Sequence, residues 1–346
     1  MAHRVRNRVD LPMKVDVEYQ PSSSMVVNCV AYRNDGTRLP EITIDQISDV
    51  LDAGDGFVWV GLHEPSAVLL ERFQEEFGLH DLAIEDAQHA HQRPKIEVYG
   101  DTLFIVLHTA QFVGGKVQFG ETHIFLGRRF LLTVRHGASL SYTPARQRCE
   151  KESELLAMGP SYALYAVVDF IVDNFFPIVS EFQSELTELE AEVFDPDYER
   201  DTIRRLYNLK RELVKLRLAV APMQDILNQL VRFHPGFVIE EVRPYFRDIF
   251  DHAVRVKEAS DTLSEMLSAA MSVNLAMVTV GQGEVVKRLA GWAGLVAIPT
   301  LMTSWYGMNY QHMPELDGRY SYPIFAATTA VIVLVAYLLL KRVKWL

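Results

Sequence analysis

The spacing of apolar residues changes character along this chain. Between Met25 and Arg135, β-branched and aromatic runs at Val26 to Tyr32, Phe57 to Val60, Thr102 to Phe112 and Phe130 to Val134 are bounded by Gly, Asp and Asn, which predicts strands. Between them, Ile42 to Ala53, Ser66 to Phe77 and Asp81 to Ala90 carry helical spacing. This part reads as an α/β domain. From about Ser161 the strand signals stop. Tyr162 to Val193, Asp201 to Leu230 and a stretch from near Val238 are expected to be helical, broken at Asp195-Pro196-Asp197 and His234-Pro235-Gly236. Leu206, Leu209, Leu213, Leu216 and Val220 recur as in a bundle seam, and ordinary core packing accounts for them.

No strong breaker interrupts the last helical stretch between Pro244 and Pro299. A continuous helix from Val238 to Tyr306 would run about 100 Å. Gly281 and Gly283 within it cost about 1 kcal/mol each relative to Ala, which makes them candidate points of bending or close approach. Two apolar segments, Leu289 to Tyr306 and Pro323 to Leu340, are each just long enough to cross a bilayer core of about 30 Å. Pro299 lies inside the first, where a kink is tolerated. Between the segments lies a polar loop that opens Gly307-Met308-Asn309 and continues from Tyr310 to Leu316.

The expected fold class is therefore an α+β membrane protein: a cytoplasmic α/β domain, a helical bundle with a very long stalk helix, and two C-terminal transmembrane helices. The expected domains are residues 1–150 (α/β), 151–284 (helical and stalk region) and 285–346 (transmembrane hairpin with a basic tail).

Charge adds a direction. With 45 acidic against 34 basic residues the net charge is -11, which disfavours nucleic acid as a partner and suits cations. Cys29 and Cys149 are the two cysteines, so neither a disulfide framework nor a thiolate metal site is indicated, and a reducing compartment fits the body. Arg4, Arg6 and Arg8 have no apolar run behind them, and no cleavable secretory signal is expected. Lys287 and Arg288 precede the first span and Lys341, Arg342 and Lys344 follow the second, whereas the loop sets Glu315 and Asp317 against Arg319. The positive-inside rule then puts both termini in the cytoplasm and the loop outside a cell membrane.

Two spans cannot enclose a pore, so an ion-conducting chain of this kind needs several copies around an axis. Thr300, Thr303, Ser304 and several small residues make the first span the better pore liner, and Val286, Leu289, Ala297 and Thr300 are the pore-lining candidates. Asn309 would then supply a ring of amide oxygens. Mg2+ gives up its waters reluctantly, so such a ring can hold the hydrated ion through its water shell. Gly307 would let the backbone approach closely, and Glu315 and Asp317 would concentrate cations at the mouth. An Asn near a helix end is commonly a cap, and only its position between two spans raises it to a filter candidate.

Other chemistry finds less support. His80, His89 and His91 match no usual zinc spacing and suit surface or capping roles. Gly114-Gly115-Lys116 lacks the phosphate-loop spacing, which argues against an ATP-driven pump. Glu181, Glu185, Glu188 and Glu192 line a helix without the histidines of a carboxylate metal cluster and read as a solvated face. No enzyme activity and no organic cofactor are expected.

Tyr306-Gly307-Met308-Asn309, Met313-Pro314-Glu315-Leu316 and the basic end Lys341-Arg342-Val343-Lys344-Trp345-Leu346 together resemble the CorA family of magnesium channels. Ile84-Glu85-Asp86, His91-Gln92-Arg93-Pro94-Lys95 with Phe104 to Leu107, and Pro244 to Asp248 with Asp251-His252 extend the resemblance over residues 75–346. The resemblance implies a funnel-shaped homopentamer in the lipid bilayer that passes Mg2+, Co2+ and also Ni2+, with regulatory divalent ions bound between neighbouring cytoplasmic domains. It assigns Gly307 and Asn309 to the external filter and Asp86 and Asp248 to the acidic sensor pair. Gly283, Ala297 and Ser272 depart from the family's familiar residues at the lower pore, the gate and the lower acidic ring. Two alternatives stay open: a related zinc, nickel or cobalt transporter, and a membrane-anchored structural or signalling protein. Met308 and the Met313 to Leu316 run favour magnesium over the first. A defined polar loop argues against a mere anchor.

Overall fold

The computed structural model of the chain describes residues 25–113, 116–193, 200–309, 313 and 318–346; of Arg200 it gives the backbone alone. The described residues fall into two compact units, one of residues up to 191 with 199–266, the other of 192–198 with 267–346.

In chain order the first unit contains β1 (Val26–Arg33), α1 (Ile47–Ala53), β2 (Gly56–His63), α2 (Ala67–Phe77), α3 (Asp81–Gln88), β3 (Lys95–Tyr99), β4 (Thr102–Val113), β5 (Lys116–Leu126), β6 (Phe130–Gly137), α4 (Thr143–Lys151), α5 (Ser153–Leu156), α6 (Pro160–Asp173), α7 (Phe175–Val193) and α8 (Arg200–Phe233). It also takes in the first part of α9 (Arg243–Tyr306). The strands form one sheet in the order β1-β2-β6-β5-β4-β3, with β2 parallel to β6 and every other pair antiparallel. β2 reads as a continuous apolar run because it is interior to the sheet and buried on both faces. On one face Ile47, Leu70, Phe73, Phe77, Ala83 and Ile84 from α1 to α3 join Val58, Val60, Phe104, Phe125 and Leu132 in a single core. α6 packs against β2, β5 and β6.

α2 and α3 start on side-chain caps and are separated by Gly78, whose φ of 63° closes α2 in the left-handed region that a glycine adopts without strain. Ser66 Oγ accepts from the Leu69 amide at 3.3 Å, and His80 Nδ1 accepts from the Leu82 amide at 3.2 Å. The predicted seam of α8 is buried throughout, from Leu206 to Val220, and the helix continues through Pro222 because Ala219, Met223, Ile226 and Leu227 are buried on either side of it. The expected single helix from Tyr162 to Val193 is instead two. Asn174 ends α6, its Nδ2 donating to the Phe170 carbonyl at 2.7 Å. α6 and α7 together are long and apolar enough to be counted as a membrane span, yet 61 % of that apolar window is buried inside the protein. Their hydrophobicity is thus used by the core.

The second unit holds the remainder of α9 and α10 (Ser321–Arg342). Both are long and apolar enough to cross a membrane, and α10 buries none of its apolar window within the chain.

A polar cluster sits inside the sheet. Glu121 on β5 is almost fully buried and accepts from the amides of His91 (2.7 Å) and Gln92 (3.1 Å), which pins the connection between α3 and β3. His123 beside it is fully buried, with Nε2 3.3 Å from Glu121 Oε1, and its ring lies 5.2 Å from that of His136. His136 in turn contacts the Ala87 carbonyl through Nε2 at 2.9 Å and Glu64 through Nδ1 at 3.3 Å. Burial holds the His123 pKa below its ordinary 6.5, against the opposing pull of Glu121. The unfolded chain therefore binds the proton more readily than the folded one, so stability is complete above pH 6.5 and declines as pH falls below that value. Thermal unfolding of the detergent-solubilised protein should show a midpoint that drops between pH 7.5 and pH 5.5, and His123→Val should flatten this dependence. Equal pH slopes in the two proteins would remove His123 as the cause.

Candidate functional site

Two places in the chain carry the candidate chemistry: the end of α9, and a group of carboxylates in the first unit.

At the end of α9 the Gly307 amide donates to the Thr303 carbonyl at 3.0 Å, closing the last turn by backbone alone. A Cβ on Gly307 would come within 3.2 Å of that same carbonyl, so the closure suits a residue without one. Asn309 follows two positions later, exposed, and its side-chain amide has no partner among the described residues. Glu315 and Asp317, expected at the mouth, lie outside the described residues.

The face of α9 turned to α10 can be identified. Met302 Sδ accepts from Thr329 Oγ1 at 3.5 Å, Tyr306 meets Phe325 with ring centroids 4.9 Å apart, Leu295 is 6 % exposed, and a Cβ on Gly291 would touch Leu346. At about 100° per residue these four positions share one side, and Val286, Leu289, Ala297 and Thr300 fall on the opposite side. All four of the latter are exposed within the chain. Thr300 Oγ1 donates to the Val296 carbonyl at 2.8 Å, which consumes its hydrogen and leaves its oxygen as an acceptor. The positions picked from sequence thus line the side of α9 that α10 leaves uncovered. Gly283 is open, and Ser272 returns its hydroxyl to the Ser268 carbonyl at 2.9 Å.

In the first unit Asp86 lies in the last turn of α3, half-buried, and accepts from Lys95 Nζ at 2.7 Å. Lys95 also donates to Glu97 at 2.6 Å and lies 5.7 Å from the centre of the Phe104 ring. Burial works against the ammonium, but its two carboxylate partners outweigh that and raise its pKa above the ordinary lysine value. Glu97 accepts a further hydrogen bond from the Tyr99 hydroxyl at 2.9 Å.

Asp248, on α9, is largely exposed, with His252 Nε2 at 3.8 Å one helical turn on. No hydrogen bond or ion pair joins Asp86 to Asp248 within the chain. His252 leads to a group the sequence reading missed: its Nδ1 is 3.1 Å from Asp173, and one ligand atom each from Asp169, Asp173 and His252 lie within 4.8 Å of one another. Asp169 is buried and already bonded to Arg148 at 2.6 Å; burial raises its pKa despite that arginine. The available signal was Asp169 and Asp173 one turn apart on an otherwise apolar helix.

Oxygen-rich sets such as these suit hard divalent ions, which take carboxylates and waters. Among the described residues the oxygens of Asp248 pair with no lysine or arginine. By contrast His80 caps α3, His89 Nδ1 contacts the Glu85 carbonyl at 2.9 Å, and His91 presents its backbone amide to Glu121, so these three histidines do not converge. Burial pushes the Cys29 thiol up to about 11 and the Cys149 thiol up to about 12, which disfavours thiolate ligation at either. Glu181 and Glu188 are exposed, and Glu188 pairs with Arg205 at 3.9 Å, as a solvated face does.

Comparison with known proteins places the chain in a family. Cobalt/magnesium transport protein CorA of Thermotoga maritima is 31 % identical over 289 residues, 83 % of this chain and 82 % of that protein. Magnesium transport protein CorA of Salmonella typhimurium is 25 % identical over 339 residues, covering 91 % of this chain and 99 % of that one. The complete structure of the CorA magnesium transporter from Methanocaldococcus jannaschii superposes with a TM-score of 0.76 at 20 % identity, over 92 % of this chain and 99 % of that one, and so shares its fold. A family profile described as CorA-like Mg2+ transporter protein matches residues 54–342. The chain, a membrane protein and not an enzyme, belongs to the CorA-like Mg2+ transporter family.

Proposed function

We propose that the chain assembles as a homopentamer in the cell membrane, with both termini cytoplasmic, and forms a channel for Mg2+ and also for Co2+ and Ni2+. The observation that carries this reading is Asn309: an exposed amide, without a partner among the described residues, directly beyond the end of α9, whose side opposite α10 holds Val286, Leu289, Ala297 and Thr300. Five copies arranged with that side inward would place five amide oxygens around one axis. Neutral carbonyl oxygens accept hydrogen bonds from the waters of a hydrated ion and release it again, as conduction demands. A doubly charged ion gains about 4.6 kcal/mol per 100 mV of membrane potential crossed, so no ATP is needed for uptake.

Feedback from inside the cell follows from the carboxylates. In the pentamer Asp86 of one subunit would face Asp248 of its neighbour, and a divalent ion between them would hold the cytoplasmic parts in a closed arrangement. Each tenfold rise in ion concentration above the dissociation constant adds about 1.4 kcal/mol per site to that arrangement. The domain limits 1–150, 151–284 and 285–346 correspond in this reading to sensor, stalk and pore.

Asn309→Ala should abolish Mg2+ uptake in cells lacking their own magnesium transporters while leaving the assembled protein in the membrane. Normal uptake by the assembled variant would sink the filter assignment. Neutralising Glu315 and Asp317 together should lower flux mainly at low ionic strength, because such long-range attraction is screened over about 8 to 10 Å. A changed order of ion preference at unchanged apparent affinity would contradict that role. For the sensor, Mg2+ should protect the native cytoplasmic part from proteolysis, and Asp86→Ala with Asp248→Ala should weaken the protection strongly. Full protection together with normal inhibition of flux by Mg2+ in the double variant would place the sensor elsewhere.

A further inference from the structure

Resting on the reading of Asp86 as a sensor carboxylate, we infer that Lys95 is a built-in competitor for that site: its ammonium occupies Asp86 until a divalent ion displaces it, and so sets the Mg2+ concentration at which the channel closes. The geometry is specific. Lys95 Nζ is 2.7 Å from Asp86 Oδ2 and 2.6 Å from Glu97 Oε2, so one cationic group is shared by two carboxylates. Its ammonium also lies 5.7 Å from the centre of the Phe104 ring, whose face adds attraction for a cation. The lysine opens β3, and Glu121 fixes the chain just before it by taking the amides of His91 and Gln92. Lys95 is therefore held where it is by the backbone and is not a surface side chain that pairs by chance.

Glu97 makes the exchange possible. When a divalent ion takes Asp86, the ammonium keeps one carboxylate partner and the ring, so no unpaired charge is left half-buried. Nothing is protonated or deprotonated in the exchange. A divalent ion on Asp86 simply replaces one hydrogen-bonded contact of Lys95. Among the described residues Asp248 has no such occupant; the group that faces it is His252 at 3.8 Å. The cost of loading the site thus falls on the Asp86 side.

Variants that conserve net charge separate displacement from a general electrostatic effect of removing a lysine. Lys95→Met with Glu97→Gln deletes one positive and one negative group, so a mean-field effect on Mg2+ cancels, but Asp86 is freed of its competitor. The Mg2+ concentration giving half-maximal protease protection should fall about fivefold, the scale expected for removing one partly buried ion pair. Lys95→Arg keeps the charge and offers a guanidinium fork that holds carboxylates more tightly, so the half-protecting concentration should rise. Thermal unfolding without Mg2+ establishes that each variant is folded, and the arginine variant carries the test if the double variant is not. Unchanged half-protecting concentrations in both, with protection still lost in Asp86→Ala plus Asp248→Ala, would overturn the competitor role and leave the sensor standing. Protection retained in that alanine variant would overturn both.

Discussion

Backbone hydrogen bonding in a medium without water is the constraint on which this architecture depends. Within a bilayer each exposed N–H or C=O costs several kcal/mol, and a lone polypeptide segment meets that demand only as a helix. α9 meets it through 64 residues, although its side chains live in two solvents. Near its start Phe246, Ile249, Ala253, Val256 and Ser260 are buried at helical spacing, whereas from Leu275 onward Val280, Val285, Val286, Leu289, Trp292 and Val296 are exposed within the chain. One set of main-chain bonds serves both regimes. Pro299 interrupts it without ending it, and Thr300 and Thr303 return their hydroxyls to the carbonyls of Val296 and Pro299 at 2.8 and 2.9 Å. Such return bonds to the carbonyl one turn back satisfy the threonine hydroxyls within the helix itself, where no water is present to do so.

In the first unit the corresponding constraint is the satisfaction of buried charge. Glu121 would be costly on a buried strand if its oxygens were idle, and the amides of His91 and Gln92 remove that cost while fixing the connection from α3 to β3. His136 does the same for the Ala87 carbonyl in the last turn of α3. Both ends of the link between Asp86 and Lys95 are thus held by buried polar groups of β5 and β6. The half-buried ion pair is a consequence of that packing as much as of its own attraction.

Much of this was legible in the sequence, and the exceptions have physical reasons. β1, β2, β4 and β6 announce themselves because their β-branched and aromatic runs are apolar on both sides, and the ends of α2 and α3 are marked by Ser66, Gly78 and Asp81. β3 and β5 are hidden. β3 is a five-residue edge strand with Lys95 and Glu97 on it, and β5 mixes Lys116, Gln118, Gly120, Glu121 and His123 into its run, because its long pairing with β4 carries the strand where composition does not. α4 is polar, and the break between α6 and α7 falls at Asn174, three residues before Pro177, which has no amide to donate to the Asp173 carbonyl. At the candidate site, Gly307, Asn309, Asp86 and Asp248 could be picked by motif and by resemblance. Lys95 could not, since its pairing with Asp86, nine residues back, depends on how the connection from α3 to β3 folds; of Asp169, Asp173 and His252 only the one-turn spacing of the two carboxylates was visible, because His252 comes from a helix 79 residues further on.

The proposed channel asks one ion to be recognised twice by opposite chemistry. At Asn309 recognition has to be weak and fast: a neutral amide touches only the water shell, so binding is loose enough for the ion to move on. At Asp86 and Asp248 recognition has to be tight enough to bias the closed arrangement, which calls for full negative charges. Two bare carboxylates would bind any abundant cation, however, and would be saturated at low Mg2+. An ammonium already seated on one of them raises the concentration needed for occupancy without adding selectivity for another metal, because a single positive charge at one oxygen is what the divalent ion must better. The part-buried position of Lys95, between Asp86, Glu97 and the Phe104 ring, would keep the proposed competitor at high local concentration beside Asp86.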